Sequence, residues 1–340
     1  MATYRDLQDQ RNNLKIQEIL NKLPKFASYF FESMKITNKS SRTQLEYAYE
    51  INAFLHYIAD NSRKDVCELS EKDLETVTPL EIQGYLAKPT KTGNTLSENA
   101  TARKLSALRS FYKYYNKTKQ MQSNPSMLVD MTTKHNREVN ALTRDEINAL
   151  INTIKNGISL SKKERQYYEK TRLRDLAIIY ILAGTGIRVS ELCGLNITDY
   201  DKGNACLHIT RKGGNEDKVY FGESVEKAID EYLLLGRPLL KPLSEETALF
   251  ISLQQSRMSV RSIEKMIKKY AILANLPSST HTHTLRASYA TALYEETGDV
   301  YMIKEALNHS SLETSKHYIA GASKRKRKAS KISNDILEEY

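Results

Sequence analysis

At 340 residues, with a hydrophobic fraction of 40% and a net charge of +10, the chain is long enough for two or three packed domains and apolar enough to build ordinary cores. No run of about 18 apolar residues occurs, so no membrane-spanning helix is expected. The polar start MATYRDLQDQRNN lacks the apolar stretch of a secretory signal, which points to a cytoplasmic protein.

The cysteines Cys67, Cys193 and Cys206 are odd in number and show no metal-ligand spacing. They are expected to be buried thiols in a reducing compartment, with no metal bound. The basic balance favours a polyanionic partner, most often nucleic acid. Its distribution is uneven: six basic residues lie between Lys324 and Lys331. DNA binding in the second half therefore needs a local positive face and not a uniformly basic domain.

In chain order, residues 1–24 form an N-terminal extension. Residues 25–125 are expected to be helical. Leu45, Tyr47, Ile51, Phe54, Leu55 and Ile58 recur at helical spacing near 43–59. A second helix runs from about Glu98 to Tyr115, with Leu105, Leu108, Phe111 and Tyr115 as its apolar stripe. Arg103, Lys104, Arg109 and Lys113 lie mostly off that stripe, as a solvated basic face or a DNA-contacting one. Asn124-Pro125 closes the region, and residues 126–140 read as a polar linker.

The next segment, 141–320, opens with Thr143 and Glu146 in a capping-box pattern. LRDLAIIYILAGTG (173–186) is a buried helix ending at glycine. ACLHIT (205–210) and DKVYFG (217–222) read as strands joined at Gly213-Gly214, with ALFIS (248–252) as a third short strand. SVRSIEKMIKKYAIL (259–273) is amphipathic, with Val260, Ile263, Ile267 and Ile272 on one side. Helices follow over 287–297 and 299–308. The last part, 321–340, holds the basic segment and a short helix. The fold class is thus mainly α, in two domains, with a small antiparallel sheet in the second.

Four stretches carry the chemistry. GTGIRVSELCGL (184–195) places Arg188 after a glycine turn. TRKGGNEDK (210–218) places Lys212 in a hairpin turn. HTHTLRASYATAL (281–293) holds His283 and Arg286 as H-x-x-R, beside His281, a local structural residue. LNHSSLETSKHYI (307–319) sets Tyr318 nine residues after His309. Taken singly each is ordinary: an arginine that caps a helix, a hairpin lysine, one of 21 tyrosines.

Together and in this order they resemble the catalytic domain of tyrosine recombinases, the family of Xer, Cre and phage lambda integrase. That family carries a TG-[LI]-R-x-SEL box, a lysine in a β-turn, an H-x-L-R box and a GH box followed by the nucleophilic tyrosine. The resemblance implies catalytic roles for Arg188, Lys212, His283, Arg286, His309 and Tyr318, with Glu191 in an orienting or structural role. ATARKLSALRSFYKYYNK…NP (100–125) is similar to the Xer-type segment of a helical, SAM-like core-binding domain, which implies DNA contacts from that helix. Asn308 replaces the usual glycine before the second histidine, and Ala287 a frequent histidine; neither takes part in the chemistry directly. Residues 1–24 match no part of the family pattern.

What the resemblance implies is a DNA strand transferase acting through a 3′-phosphotyrosine and a Holliday junction, without cofactor or metal. The implied partners are double-stranded recombination sites, with a homotetramer spanning two of them and the final helix docking on a neighbouring protomer. The alternatives are relaxation of DNA in the manner of a type IB topoisomerase, or DNA binding without catalysis.

Overall fold

The computed structural model describes residues 3–89, 93–130, 140–211, 213–308 and 311–312. The chain divides into two compact units, Met1–Asn136 and Arg137–Tyr340.

In the first unit, α1 (Tyr4–Leu20), α2 (Lys25–Ile36), α3 (Ser41–Ser62), the short α4 (Glu71–Glu75), α5 (Pro79–Ala87) and α6 (Glu98–Lys117) surround an aromatic core. Helix α6 starts where Ser97 Oγ accepts from the Ala100 amide, the usual N-cap arrangement. Its stripe is buried as the spacing predicts: Leu105, Leu108, Phe111 and Tyr115, with Tyr112 beside them. Phe111 meets Phe30 edge-on at 5.2 Å and Tyr115 at 5.0 Å, and burying a ring of this kind contributes about 1.5–3 kcal/mol. The phenols of Tyr112 and Tyr115 donate to the carbonyls of Leu74 and Phe26, so both buried hydroxyls are paired.

Two boundaries differ from expectation. The residues read as an extension form α1, which packs on α3 and buries Ile16, and Leu23 joins the same core. They belong to the packing of the first unit. Past Asn124, Ser126 is buried and Val129 also enters that core, so the first residues of the expected linker are packed. Residues 131–139 lie outside the described ones. Cys67 is exposed, unlike the expected buried thiol, because it sits on a one-turn 3-10 helix, Val66–Glu68, that contributes no buried side chain. Cys193 and Cys206 are buried.

The second unit opens with α7 (Arg144–Asn156), capped by Thr143 and Glu146 as its sequence predicts. Helix α8 (Lys162–Thr185) is longer than its apolar pattern. Its first turns, KKERQYYEK, are charged, and the start is set by Ser161, whose amide and hydroxyl donate to Glu164. The later turns are buried on all sides because α7, α10 (Glu223–Glu231) and α13 (Thr282–Thr297) pack around them. Helix α9 (Val189–Gly194) follows, then an antiparallel sheet of order β1-β2-β3: Tyr200–Asp201, Cys206–Thr210 and Glu216–Tyr220.

The third strand is therefore Tyr200–Asp201 and not 248–252, which makes only single bridges, Ala248 to Asn196 and Ile251 to Arg257. Side chains take the carbonyls a neighbouring strand would have used. Arg237 donates to Ala248, the Tyr232 phenol to Leu249 and Arg174 to Ile251. After α11 (Arg237–Leu239), α12 (Val260–Leu273) buries Ile263, Met266, Ile267 and Tyr270, while Ile272 is exposed on the opposite side from its expected one. Helix α13 begins at Thr282, and α14 (Val300–Leu307) completes the described helices. Among the described residues no helix is long and apolar enough to cross a membrane.

Candidate active site

Helix α8 stops at Gly186, which is left-handed at φ +64°, and a Cβ there would meet the Tyr289 ring at 2.5 Å and Leu307 at 2.8 Å. Only glycine satisfies both the conformation and the space. The next residue, Ile187, is buried and anchors the turn. Arg188 then becomes the N-cap of α9 in extended conformation. Its amide donates to Glu191 Oε2 at 2.8 Å, and its Nη1 to Oε1 at 2.9 Å. The Arg188 side chain is 31% exposed while that of Glu191 is 3% exposed. Glu191 thus fixes the arginine from below, and no hydrogen bond of Arg188 Nε or Nη2 to a described residue is found.

Arg286 lies on α13 and is buried. Its Nη1 donates to the carbonyl of Gly186, and its Nη2 to that of Leu307 at 2.7 Å. One side chain so joins the glycine turn before Arg188 to the end of α14 before His309. His283 stands in the first turn of α13, its ring centroid 6.0 Å from that of His281. His281 is the N-cap, and its Nδ1 bonds the Ser279 carbonyl and Thr284 Oγ1, in keeping with a structural role. The imidazole of His283 faces solvent yet is held below its ordinary pKa of 6.5. Partial loss of hydration is the main cause, and the charges of His281, Arg286 and Arg188 add to it.

The β2–β3 hairpin closes through Arg211, whose amide donates to the Asn215 carbonyl at 2.7 Å and whose carbonyl accepts from Gly214 at 3.0 Å. Gly213 and Gly214 take φ +101° and +93°, which explains the glycine pair. Lys212 lies within this turn by sequence and outside the described residues. At the end of α14, Asn308 is left-handed at φ 48°. Asparagine tolerates that region better than other non-glycine residues, which gives the departure from glycine a physical basis. His309 and Tyr318 lie outside the described residues, as do the basic run and the expected helix near 332–340.

Two residues absent from the sequence reading complete the arrangement. Arg211, 5% exposed at its side chain, donates to Glu191 Oε2 at 3.2 Å and to Asp217 Oδ2 at 2.9 Å. Asp217 in turn accepts from Asn308 Nδ2 at 3.3 Å. Burial would raise the Asp217 pKa, but the bonds from Arg211 and Asn308 outweigh it and hold the carboxyl below its ordinary range. At the other end of β2, the ligand atoms of Asp201, Cys206 and His208 lie within 4.8 Å of one another. Asp201 there already accepts from the amide and side chain of Asn204.

Of the expected DNA-contacting residues on α6, Lys113 is exposed. Arg103 pairs with Glu50 at 3.4 Å, and the Lys104 ammonium lies 4.6 Å from the centroid of the Tyr85 ring. Arg109 is turned inward: Nε donates to the Ser126 carbonyl at 3.2 Å and Nη2 to that of Val129 at 2.7 Å.

Residues 140–325, more than half the chain, match the model of the phage integrase family. The chain belongs to that family, the tyrosine recombinases. Residues 27–119 of this recombinase match the phage integrase N-terminal SAM-like domain. It is 31% identical over 292 residues to tyrosine recombinase XerC of Syntrophus aciditrophicus, covering 83% of this chain and 88% of that one. It is 32% identical over 261 residues to XerC of Thermodesulfovibrio yellowstonii, covering 76% and 82%. Its fold is similar to that of XerH bound to a palindromic difH substrate in a post-cleavage complex. There the TM-score is 0.70 at 22% identity, over 98% of this chain and 92% of that one. It is also similar to a lambda integrase dimer bound to a core site, with TM-score 0.59 and 17% identity over 86% and 94%.

Proposed function

We propose that this chain is a site-specific DNA recombinase that cuts and reseals duplex DNA through a covalent bond to Tyr318. The observation that supports this most is the placement of Arg286, which bridges the Gly186 and Leu307 carbonyls. It ties the turn at Gly186 and the end of α14 at Leu307 to the helix that carries His283.

In this reading Arg188 and Arg286 neutralise the non-bridging oxygens of the scissile phosphate and stabilise the charge of the five-coordinate transition state. The Tyr318 oxygen forms a bond to phosphorus as the bond to the 5′ oxygen breaks. A phenol, with a pKa near 10, must lose its proton. Neutral His283 takes that proton or serves as a phosphate ligand. Lys212 gives a proton to the departing 5′ oxygen, and His309 donates a hydrogen bond to the phosphate. The phosphotyrosine keeps the energy of the broken bond, and rejoining is the same reaction reversed.

The partner in this reading is duplex DNA; the XerH and lambda integrase structures of similar fold are bound to a difH substrate and to a core site. The first unit supplies a core-binding domain, with Arg103, Lys104 and Lys113 the candidates for phosphate contact while Arg109 is held inward, and residues from about 141 to 320 supply the catalytic domain. Four protomers assemble on two sites and exchange strands in pairs through a Holliday junction.

The test uses a nicked duplex selected for binding from a random pool, so that the cut product diffuses away and the covalent complex accumulates. On a denaturing gel the wild type gives a shifted band, in excess EDTA and without ATP, and Tyr318→Phe gives none. A band of equal intensity from Tyr318→Phe contradicts the proposal.

A further inference from the structure

Glu191 is a buried carboxylate held by two arginines, Arg188 at the surface of the site and Arg211 beneath it. A carboxylate buried beside a single cation would draw most of that cation's charge to itself. The second arginine changes the balance. Arg211 satisfies Glu191 Oε2, together with the Arg188 amide, while Arg188 spends only Nη1 on Oε1. The remaining guanidinium edge of Arg188 then keeps its charge for an anion. Arg211 spends its Nε on Asp217 and its Nη1 on Glu191.

Arg211 also closes the turn that follows β2, through its amide and carbonyl, and reaches Asn308 by way of Asp217. Three segments separate in sequence therefore share one chain of ion pairs and hydrogen bonds. They are the Arg188 turn, the hairpin holding Lys212 and the end of α14 next to His309.

We propose that Arg211 is a positioning residue for cleavage: through Glu191 it sets the orientation and free charge of Arg188, and through Asp217 it ties the hairpin to Asn308. This rests on the reading of Arg188 as the clamp on the scissile phosphate. A planar guanidinium holds two carboxylates in one fixed fork, whereas a lysine ammonium is a compact charge on a flexible stem and does not fix their relative orientation. Misplacement of a clamp by about an ångström costs on the order of 100-fold in rate.

The experiment compares cleavage of two nicked duplexes, one with an ordinary scissile phosphodiester and one with a methylphosphonate there, whose missing negative charge needs no clamp. Wild type, Arg188→Met, Arg211→Met, Arg211→Lys and the double variant Arg211→Met/Glu191→Gln are assayed after their DNA binding is measured. Arg188→Met and both Arg211 variants should bind DNA like wild type. They should cleave the phosphodiester on the order of 100-fold more slowly and lose most of that deficit on the methylphosphonate. The double variant, with no buried carboxylate left unbalanced, should cleave the phosphodiester faster than Arg211→Met; if Arg211→Met does not fold, it and Arg211→Lys carry the comparison. If Arg188→Met shows equal deficits on both substrates, the clamp reading fails and the inference with it. If Arg188→Met behaves as expected but the Arg211 variants are unimpaired, or equally impaired on both substrates, Arg211 does not act through Arg188.

Discussion

The imidazole of His283 lies in the first turn of α13, where hydration is reduced and the charges of His281, Arg286 and Arg188 face it, with Glu264 acting in the opposite sense. All but Glu264 disfavour the protonated ring, so the folded pKa lies below the unfolded value of 6.5. The unfolded chain then binds the extra proton in that window. The contribution of His283 to stability is present above pH 6.5 and is lost as pH falls through the folded pKa. An NMR titration should give a His283 midpoint below 6.5, and Arg188→Ala should move it upward. A midpoint at or above 6.5 would remove the case for a neutral base. Arg109 offers a second contrast. Its guanidinium satisfies the carbonyls of Ser126 and Val129, both at buried residues. Arg109→Ala should therefore destabilise the first unit by about 1–3 kcal/mol, the cost of unpaired buried polar groups. Lys113→Ala should leave the unfolding midpoint unchanged and flatten the salt dependence of DNA binding by about one unit. Equal effects of the two substitutions on stability would contradict this division.

At the scale of elements, the turn between α8 and α9 depends on Gly186. Gly186→Ala places a methyl group 2.5 Å from the Tyr289 ring in a left-handed conformation. The expected cost is roughly 1–3 kcal/mol, seen as a lowered denaturation midpoint of the second unit, with loss of cleavage because the Gly186 carbonyl holds Arg286. An unchanged midpoint would show that the turn relaxes freely. The same region marks what a sequence discloses. Stripes such as Leu105, Leu108, Phe111 and Tyr115, and caps such as Thr143 with Glu146, lie within one turn or one helix and are legible. The early turns of α8 are charged and hide in the pattern. The 248–252 segment has the composition of a strand, yet side chains of Arg174, Tyr232 and Arg237 satisfy its carbonyls, and no local signal shows that.

Across the whole molecule, each family box is legible because its residues lie in a contiguous segment of fixed spacing. The connections between boxes were not. Arg211 reaches Glu191 across 20 residues, Arg286 reaches Gly186 across 100 and Asn308 reaches Asp217 across 91. Such pairs carry no periodicity, and a lone arginine at a strand end reads as an ordinary surface residue. Arg109 had the same fate in reverse, since its spacing put it on a basic face while the chain past Asn124 folds back to take it. In the proposed reaction one tyrosine among 21 becomes bonded to DNA. The most direct measurement is mass spectrometry of the covalent complex trapped on the nicked duplex and digested with trypsin and nuclease. The residual nucleotide should be carried by the peptide His317 to Lys324, on Tyr318. Its recovery on any other tyrosine would contradict the assignment.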